Sequence, residues 1–92
     1  MAVLVDTPIW PRHGTLWAHL VSDASYDELH AFAARAGLPP RSFDRDHYDV
    51  PLERHADLVA LGAQPVTGRE LIRRLLASGL RVPVRDRQDP PR

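Results

Sequence analysis

Imidazole and carboxylate side chains, the groups that most often bind metals and transfer protons, are concentrated in the first half of this chain. Four of the five histidines and both tryptophans come before Val50. These residues are His13, His19, His30, His47, Trp10 and Trp17. The second half holds mainly aliphatic residues and arginines. This distribution indicates one polar site that the first half builds and the second half supports.

Histidines and acids of the first half form a candidate metal site. His19 and Asp23 are four residues apart, so a helix there would place them on one face. With Asp6 and His47 brought in by folding, they would supply the nitrogen and oxygen ligands that zinc, manganese or iron accepts. The sequence contains neither a paired-histidine zinc-protease helix nor a calcium loop. The alternative is structural: the histidines hydrogen-bond the backbone, and the acids cap helices.

Residues 46–49 place an imidazole, a phenol and two carboxylates side by side. An adjacent acid can orient a histidine, and the phenol of Tyr48 could donate to a substrate oxyanion. We interpret His47, His19 and Asp49 as the candidate catalytic residues. The alternative is a turn in which Asp49 caps a helix and Tyr48 packs against the core.

Aromatic and basic residues provide candidate substrate contacts. Trp10 and Trp17 could stack on a base or a sugar, although in so small a domain a tryptophan more often packs as a core residue. Residues 67–69 would begin a helix whose free amides, together with the Arg69 guanidinium, suit a phosphate group. This segment lacks the glycines and the lysine of a P-loop.

Composition narrows the classes to which the protein can belong. A chain of 92 residues is one small domain, and because it has no cysteine it has no disulfide, thiolate metal site or thiol nucleophile. No segment approaches the roughly 20 apolar residues of a membrane span, and the start lacks a signal-peptide pattern. We therefore expect a cytoplasmic protein with no membrane partner.

Charge is distributed unevenly although the formal net charge is zero. Residues 1–66 hold nine acids and five arginines, whereas residues 67–92 hold three acids and seven arginines. The basic part could bind nucleic acid, but no recognised nucleic-acid motif is present and a solvated helix face explains the arginines as well. A nucleic-acid partner is therefore not favoured, and the oligomeric state stays open.

Short apolar runs alternate with helical patterns along the chain. Two patterns resemble capping boxes, at residues 25–28 and 67–70, and each helix that follows meets a glycine, at Gly37 and Gly79. A further helix is expected from Pro51 to Gly62. Strands are expected at residues 2–5, 41–43 and 63–66, and residues 9–23 are expected to form an ordered loop.

The order of these elements predicts a small three-layer α/β domain over residues 1–80, with a short, mainly parallel sheet and about three helices. Residues 81–92 are expected to form a flexible charged tail that contains prolines. In parallel sheets ligands bind beyond the carboxyl ends of the strands. Asp6, residues 46–49 and the helix that begins at Thr67 should therefore meet at one edge.

Several blocks of the sequence are similar to a bacterial family that is known as domain of unknown function 4031. The similar blocks are Asp6, Trp10-Pro11, His13-Gly14, Trp17, His19-Leu20, Ser22-Asp23, Glu28-Leu29-His30, Asp46-His47-Tyr48-Asp49-Val50 and Arg69-Glu70-Leu71. The resemblance covers roughly residues 1–80 and implies no activity, cofactor or substrate. Only the residues themselves therefore indicate what the protein does.

Two functions are consistent with these residues. The first is a small enzyme, namely a metal-assisted hydrolase of a phosphorylated or nucleotide-like compound that uses zinc or manganese. Here His47 or His19 would be a base or a metal ligand, and Arg69 would anchor phosphate. The second is a binding module without catalytic activity, which holds a nucleotide, a nucleic acid or a partner protein.

Overall fold

The sheet is organised around one long strand, Thr15–Ser22, within the segment whose sequence predicts an ordered loop. A computed structural model describes residues 2–83, and in this range there are six strands and three helices. The strands are β1 (Val3–Val5), β2 (Trp10–Arg12), β3 (Thr15–Ser22), β4 (Phe43–Asp44), β5 (His47–Pro51) and β6 (Gln64–Pro65). The helices are α1 (Tyr26–Ala36), α2 (Leu52–Ala60) and α3 (Gly68–Ser78), and a 3-10 turn spans Pro40–Ser42.

The expected mainly parallel sheet is wrong, because the sheet is mixed and mostly antiparallel. Its strand order is β4-β5-β3-β1-β6, and β2 pairs with β3. Among the described strands only β1 and β6 run parallel. The polar residues therefore meet on one face of antiparallel strands, and not at the carboxyl edge of a parallel sheet.

A tight hairpin explains why residues 9–23 form strands despite Pro11 and Gly14. Arg12 pairs with Thr15, so His13 and Gly14 alone make the turn. Both have positive φ angles, 50° and 77°, which is the backbone that favoured two-residue hairpins require. Pro11 lies in the short strand β2, where a missing amide donor is tolerated at an edge.

Helices α1 and α3 begin and end where their capping patterns predict. The Ser25 hydroxyl accepts a hydrogen bond from the Glu28 amide, and Gly37 ends α1 in the left-handed conformation with φ of 75°. The Thr67 hydroxyl accepts from the Glu70 amide in the same way. Local hydrogen bonds thus determine the ends of both helices.

The inward faces of α2 and α3 are narrow. Leu58 is the buried residue of α2, whereas Leu52 is exposed. In α3, Leu71 and Leu75 are buried and Leu76 is exposed. A pattern of one apolar side chain per turn fits more than one helix face, so it does not distinguish these positions.

Two apolar layers lie on opposite faces of the sheet. One is formed against α1 and α2, and its residues include Val3, Val5, Ala18, Leu20, Leu29, Phe32, Tyr48, Val50 and Leu58. The other is smaller, lies under α3 and contains Leu4, Val21, Leu71 and Leu75. Because successive strand residues point to opposite faces, the remaining positions of β3 and β5 face the α3 side, where there is less apolar cover.

The chain after α3 returns to the sheet. The Tyr26 hydroxyl donates to the carbonyl of Leu80, and the Val82 amide donates to the Asp46 carboxylate at 2.8 Å. The expected flexible tail falls, from residue 84 onward, outside the described residues. None of the three helices in the described range is long and apolar enough to cross a membrane.

Candidate metal centre

His19, His47 and Asp49 lie together on the α3 face of the sheet. His19 is paired directly opposite Asp49 across β3 and β5, and His47 is two residues before Asp49 on the same strand. Strand alternation therefore directs all three side chains to one face. One potential ligand atom from each residue lies within 4.8 Å of the other two. We call these residues the His–His–Asp cluster.

His47 is buried between two carboxylates. Its Nδ1 lies 2.8 Å from Asp46 Oδ1, and its Nε2 lies 3.1 Å from Asp49 Oδ1. Burial by itself lowers the pKa of His47, but hydrogen bonds and charge from Asp49 and Asp46 outweigh burial and raise this pKa above its ordinary value. The two carboxylates therefore stabilise the protonated form of His47 relative to a histidine in water.

His19 is oriented by Asp6. The chain leaves β1 at Asp6, whose amide still donates to the His19 carbonyl at 3.1 Å. The Asp6 carboxylate accepts the His19 amide at 2.6 Å, and its second oxygen lies 2.9 Å from His19 Nδ1. His55 on α2 contacts the Asp6 carbonyl at 3.2 Å through Nε2. Asp6 thus fixes both the backbone and the ring of His19.

Trp10 packs against the exposed side of the cluster. Its ring stacks on His19 with centroids 5.7 Å apart and an angle of 13° between the planes. The Arg12 guanidinium lies 5.0 Å from the centroid of the Trp10 ring. His19 in turn contacts His47 edge to face at 5.0 Å. The ring of His19 is thereby held between an indole and a second imidazole.

Asp46 is held in place by the segment that follows α3. Its side chain is fully buried, and besides His47 it contacts the Val82 amide and, at 3.8 Å, the Arg81 guanidinium. Arg45, which precedes it, has a positive φ of 64°. The turn between β4 and β5 therefore presents Asp46 to His47 with little freedom to move.

A cavity of about 330 Å³ lies between the cluster and α3. Its polar lining comes from the sheet and from the residues that follow α3, namely Asp6, His19, Asp46, His47 and Arg81. Leu71 and Leu75 line its apolar side. A Cβ added to Gly68 would lie 3.7 Å from an Asp6 carboxylate oxygen, so α3 begins close to this acid.

The donor chemistry of the cluster suits a divalent transition metal. Two imidazoles and one carboxylate form a ligand set that zinc, manganese and ferrous iron accept. In each imidazole one nitrogen, Nδ1, already contacts a carboxylate. Metal-binding histidines commonly donate their second ring N–H to a carboxylate in this way. The residues present therefore fit a metal ion with three protein ligands.

Asp23, expected among the metal ligands, directly follows the last residue of β3 and lies away from the His–His–Asp cluster. Its amide donates to the Ala2 carbonyl, and its carboxylate accepts the Ala2 amide at 2.7 Å and the Arg74 guanidinium at 2.6 Å. A metal site with both His19 and Asp23 required a helix, in which residues four apart share one face. In a strand, four residues span roughly 13 Å, which separates them.

Two expected substrate contacts lie away from the cluster. Tyr48 is buried on the opposite face of the sheet, where its hydroxyl lies 2.7 Å from His30 Nδ1. Strand alternation separates it from His47 and Asp49, its neighbours in the chain. Arg69 is exposed at the start of α3 and does not line the cavity beneath that helix.

A second cavity, of about 240 Å³, adjoins the cluster at Asp49. Its other lining residues are Trp10, Arg12, His13, Trp17, Arg41 and Ser42. Both tryptophans expected to contact substrate are therefore at this cavity. Neither Arg12 nor Arg41 stands out in the sequence, since only the hairpin and the 3-10 turn bring them together.

The comparisons with known proteins agree with the resemblance found in the sequence. No curated protein and no solved structure matches the chain. Residues 3–78 match the family described as Protein of unknown function (DUF4031). Because this match spans nearly all of the described domain, the chain belongs to that family.

Proposed function

We propose that this protein is a divalent-metal-dependent hydrolase of a phosphorylated compound, with His19, His47 and Asp49 as the metal ligands. The observation that carries the proposal is the convergence of two imidazoles, each bound to a carboxylate at Nδ1, with a third carboxylate. Zinc and manganese are the proposed ions, because both accept this ligand set.

Each residue of the cluster has a distinct role in this proposal. His47 binds the ion through Nε2, since Nδ1 faces Asp46, and His19 binds through the ring nitrogen that Asp6 leaves available. Asp49 supplies the oxygen ligand, and its 3.1 Å separation from His47 Nε2 suits two ligands of one ion. Asp6 and Asp46 are positioning residues that orient the two rings.

His19, His47 and Asp49 would hold the ion, which would supply a water of lowered pKa and polarise a phosphoryl oxygen. Asp6 and Asp46 hold the two imidazoles in one orientation, with α3 on one side of the cluster and the Trp10 ring on the other. Hydrolysis is the reaction that this arrangement supports best.

An anionic substrate is favoured by the charges around the cluster. Arg12 and Arg41 line the cavity next to Asp49, and Arg81 lines the cavity beneath α3. Guanidinium groups bind phosphate oxygens through paired hydrogen bonds. Arg12 and Arg41 thus replace Arg69 as the proposed phosphate anchor.

The proposal is tested by screening phosphate monoesters and diesters for hydrolysis by untagged protein, with zinc, manganese or a chelator present. We expect turnover that requires metal and that falls by at least about a hundredfold in His47→Ala and Asp49→Asn, since the ligands act together. His30→Asn, which removes an imidazole from the opposite face, should retain turnover. Turnover that persists in the chelator or in Asp49→Asn would refute the proposal. Binding without turnover of any ester would favour a binding module.

A further inference from the structure

We infer that the cavity bounded by Trp10, Arg12, Trp17, Arg41 and Asp49 is a nucleotide pocket, in which Trp17 stacks on the base and the two guanidiniums bind the phosphate. This inference rests on the proposed function for its link to hydrolysis, because it names the substrate class of the same site. Below we call this cavity the Trp–Arg pocket.

The Trp–Arg pocket lies next to the proposed metal ligands. Asp49 belongs both to the His–His–Asp cluster and to the pocket lining. A phosphate held beside Asp49 would therefore lie next to an ion bound by the cluster. Among the described residues that line the pocket, Asp49 is the only acid, and a bound cation would offset its charge.

The basic groups of the pocket are available to a ligand. Within residues 2–83, neither Arg12 nor Arg41 forms an ion pair with a carboxylate, whereas Arg54, Arg73 and Arg74 each do. Arg12 lies over the Trp10 ring and not beside an acid. Two unpaired guanidiniums in one cavity suit a phosphate, which accepts several hydrogen bonds from them.

The two tryptophans differ in what they offer to an aromatic ligand. Trp10 already has His19 stacked on its ring and the Arg12 guanidinium 5.0 Å from its ring centroid. No described ring or guanidinium packs against Trp17, and its Nε1 donates to the Arg12 carbonyl at 2.9 Å, which fixes the indole. Trp17 is therefore the stacking surface, and Trp10 positions His19.

The combination of a fixed indole and two guanidiniums selects the ligand class. A planar base gains from stacking on an aromatic side chain, and its phosphate gains from the two cationic groups. A sugar phosphate would bind the arginines but could not stack on Trp17. A nucleoside would stack on Trp17 but has no phosphate for the arginines to bind. A nucleotide can make both interactions, which makes it the expected ligand.

Calorimetric titration with adenosine 5′-monophosphate tests the inference, both in chelator and with zinc present. Ribose 5-phosphate, which lacks the base, and adenosine, which lacks the phosphate, should each bind at least about tenfold more weakly. Trp17→Leu should bring the affinity for the nucleotide down to that for ribose 5-phosphate. Because both tryptophans of the chain line the pocket, the nucleotide should also change tryptophan emission.

The arginine variants provide a matched comparison. Arg41→Gln should weaken binding of the nucleotide by about tenfold or more, because an exposed arginine is replaced without loss of core packing. Arg69→Gln, at an exposed site outside the pocket, should bind as the unchanged protein does. Equal affinities for Arg41→Gln and the unchanged protein, or equal losses in both variants, would overturn the inference.

A separate titration with zinc alone distinguishes this inference from the proposed function. Nucleotide binding that depends on Arg41 in a protein that fails to bind zinc would support the pocket and refute the metal proposal. Zinc binding that requires Asp49, with no affinity for the nucleotide, would overturn the pocket and leave the metal proposal standing.

Discussion

Two aspartate–histidine pairs determine what the candidate site can do. Asp6 and Asp46 contact the Nδ1 atoms of His19 and His47, at 2.9 and 2.8 Å. Both acids are buried, and each carboxylate holds its imidazole in a defined orientation. A mobile imidazole would lose orientational entropy on binding a metal, whereas these two are already oriented.

Replacing Asp46 with asparagine should weaken zinc binding without removing a ligand. The amide keeps the shape of the side chain but lacks the charge that supports His47, and loss of such a partner typically costs about 10- to 100-fold in metal affinity. Competition with a chromogenic chelator measures this change. Asp44→Asn, at the exposed last residue of β4 just before this turn, should bind zinc as before. Equal affinities for Asp46→Asn and Asp44→Asn would show that Asp46 does not support the site.

Asp23 has a structural role that should appear in the pH dependence of stability. Burial by itself raises its pKa, but hydrogen bonds from the Ala2 amide and the Arg74 guanidinium outweigh burial and hold this pKa below its ordinary value. A carboxyl whose pKa is lower in the folded state stabilises the fold above its unfolded pKa. This stabilisation is lost as the pH falls through the folded pKa.

Urea unfolding of Asp23→Asn should therefore show a pH-dependent difference from the unchanged protein. At about pH 7 we expect a destabilisation of about 1–2 kcal/mol, from the loss of charge-assisted hydrogen bonds. At about pH 3 and below the difference should shrink, because the aspartate becomes protonated in the unchanged protein. A difference of constant size across this range would contradict the assigned role.

The limits of two helices could be predicted from the sequence, whereas the strands that carry the site could not. The two capping patterns predicted the limits of α1 and α3 because a cap depends only on neighbouring residues. Strand β3 was not expected because Pro11 and Gly14 indicate interrupted structure, whereas they lie in β2 and in the hairpin turn that precedes β3. Tyr48 was placed with His47 because a loop was expected, whereas β5 directs them to opposite faces.

Helix α3 covers the site through a narrow apolar face, and adjacent leucines can test this packing. Leu75 is 1% exposed and Leu76 is 60% exposed. Leu75→Ala should lower the free energy of unfolding by about 2–4 kcal/mol, because it leaves a cavity in the layer beneath α3. Leu76→Ala should change it by less than about 0.5 kcal/mol. Similar losses in both variants, measured by chemical unfolding, would mean that α3 packs through a different face.

In the molecule as a whole, the larger part of the core and the candidate site lie on opposite faces of one sheet. The α1 and α2 face carries the larger apolar layer, and the α3 face combines a smaller apolar layer with the polar cluster. The sequence predicted an α/β domain with polar groups gathered in its first half. It could not predict the strand pairing, because which strands become neighbours depends on contacts far apart in the chain.

Titration of untagged, metal-free protein with zinc tests most directly whether the His–His–Asp cluster is a metal centre. We predict saturation at one ion per chain, with at least about a hundredfold loss of affinity in His19→Ala and in Asp49→Asn, since each variant lacks a ligand. His30→Asn should bind as the unchanged protein does. No saturable binding, or binding that is equally tight in Asp49→Asn, would contradict the assignment of these three residues as metal ligands.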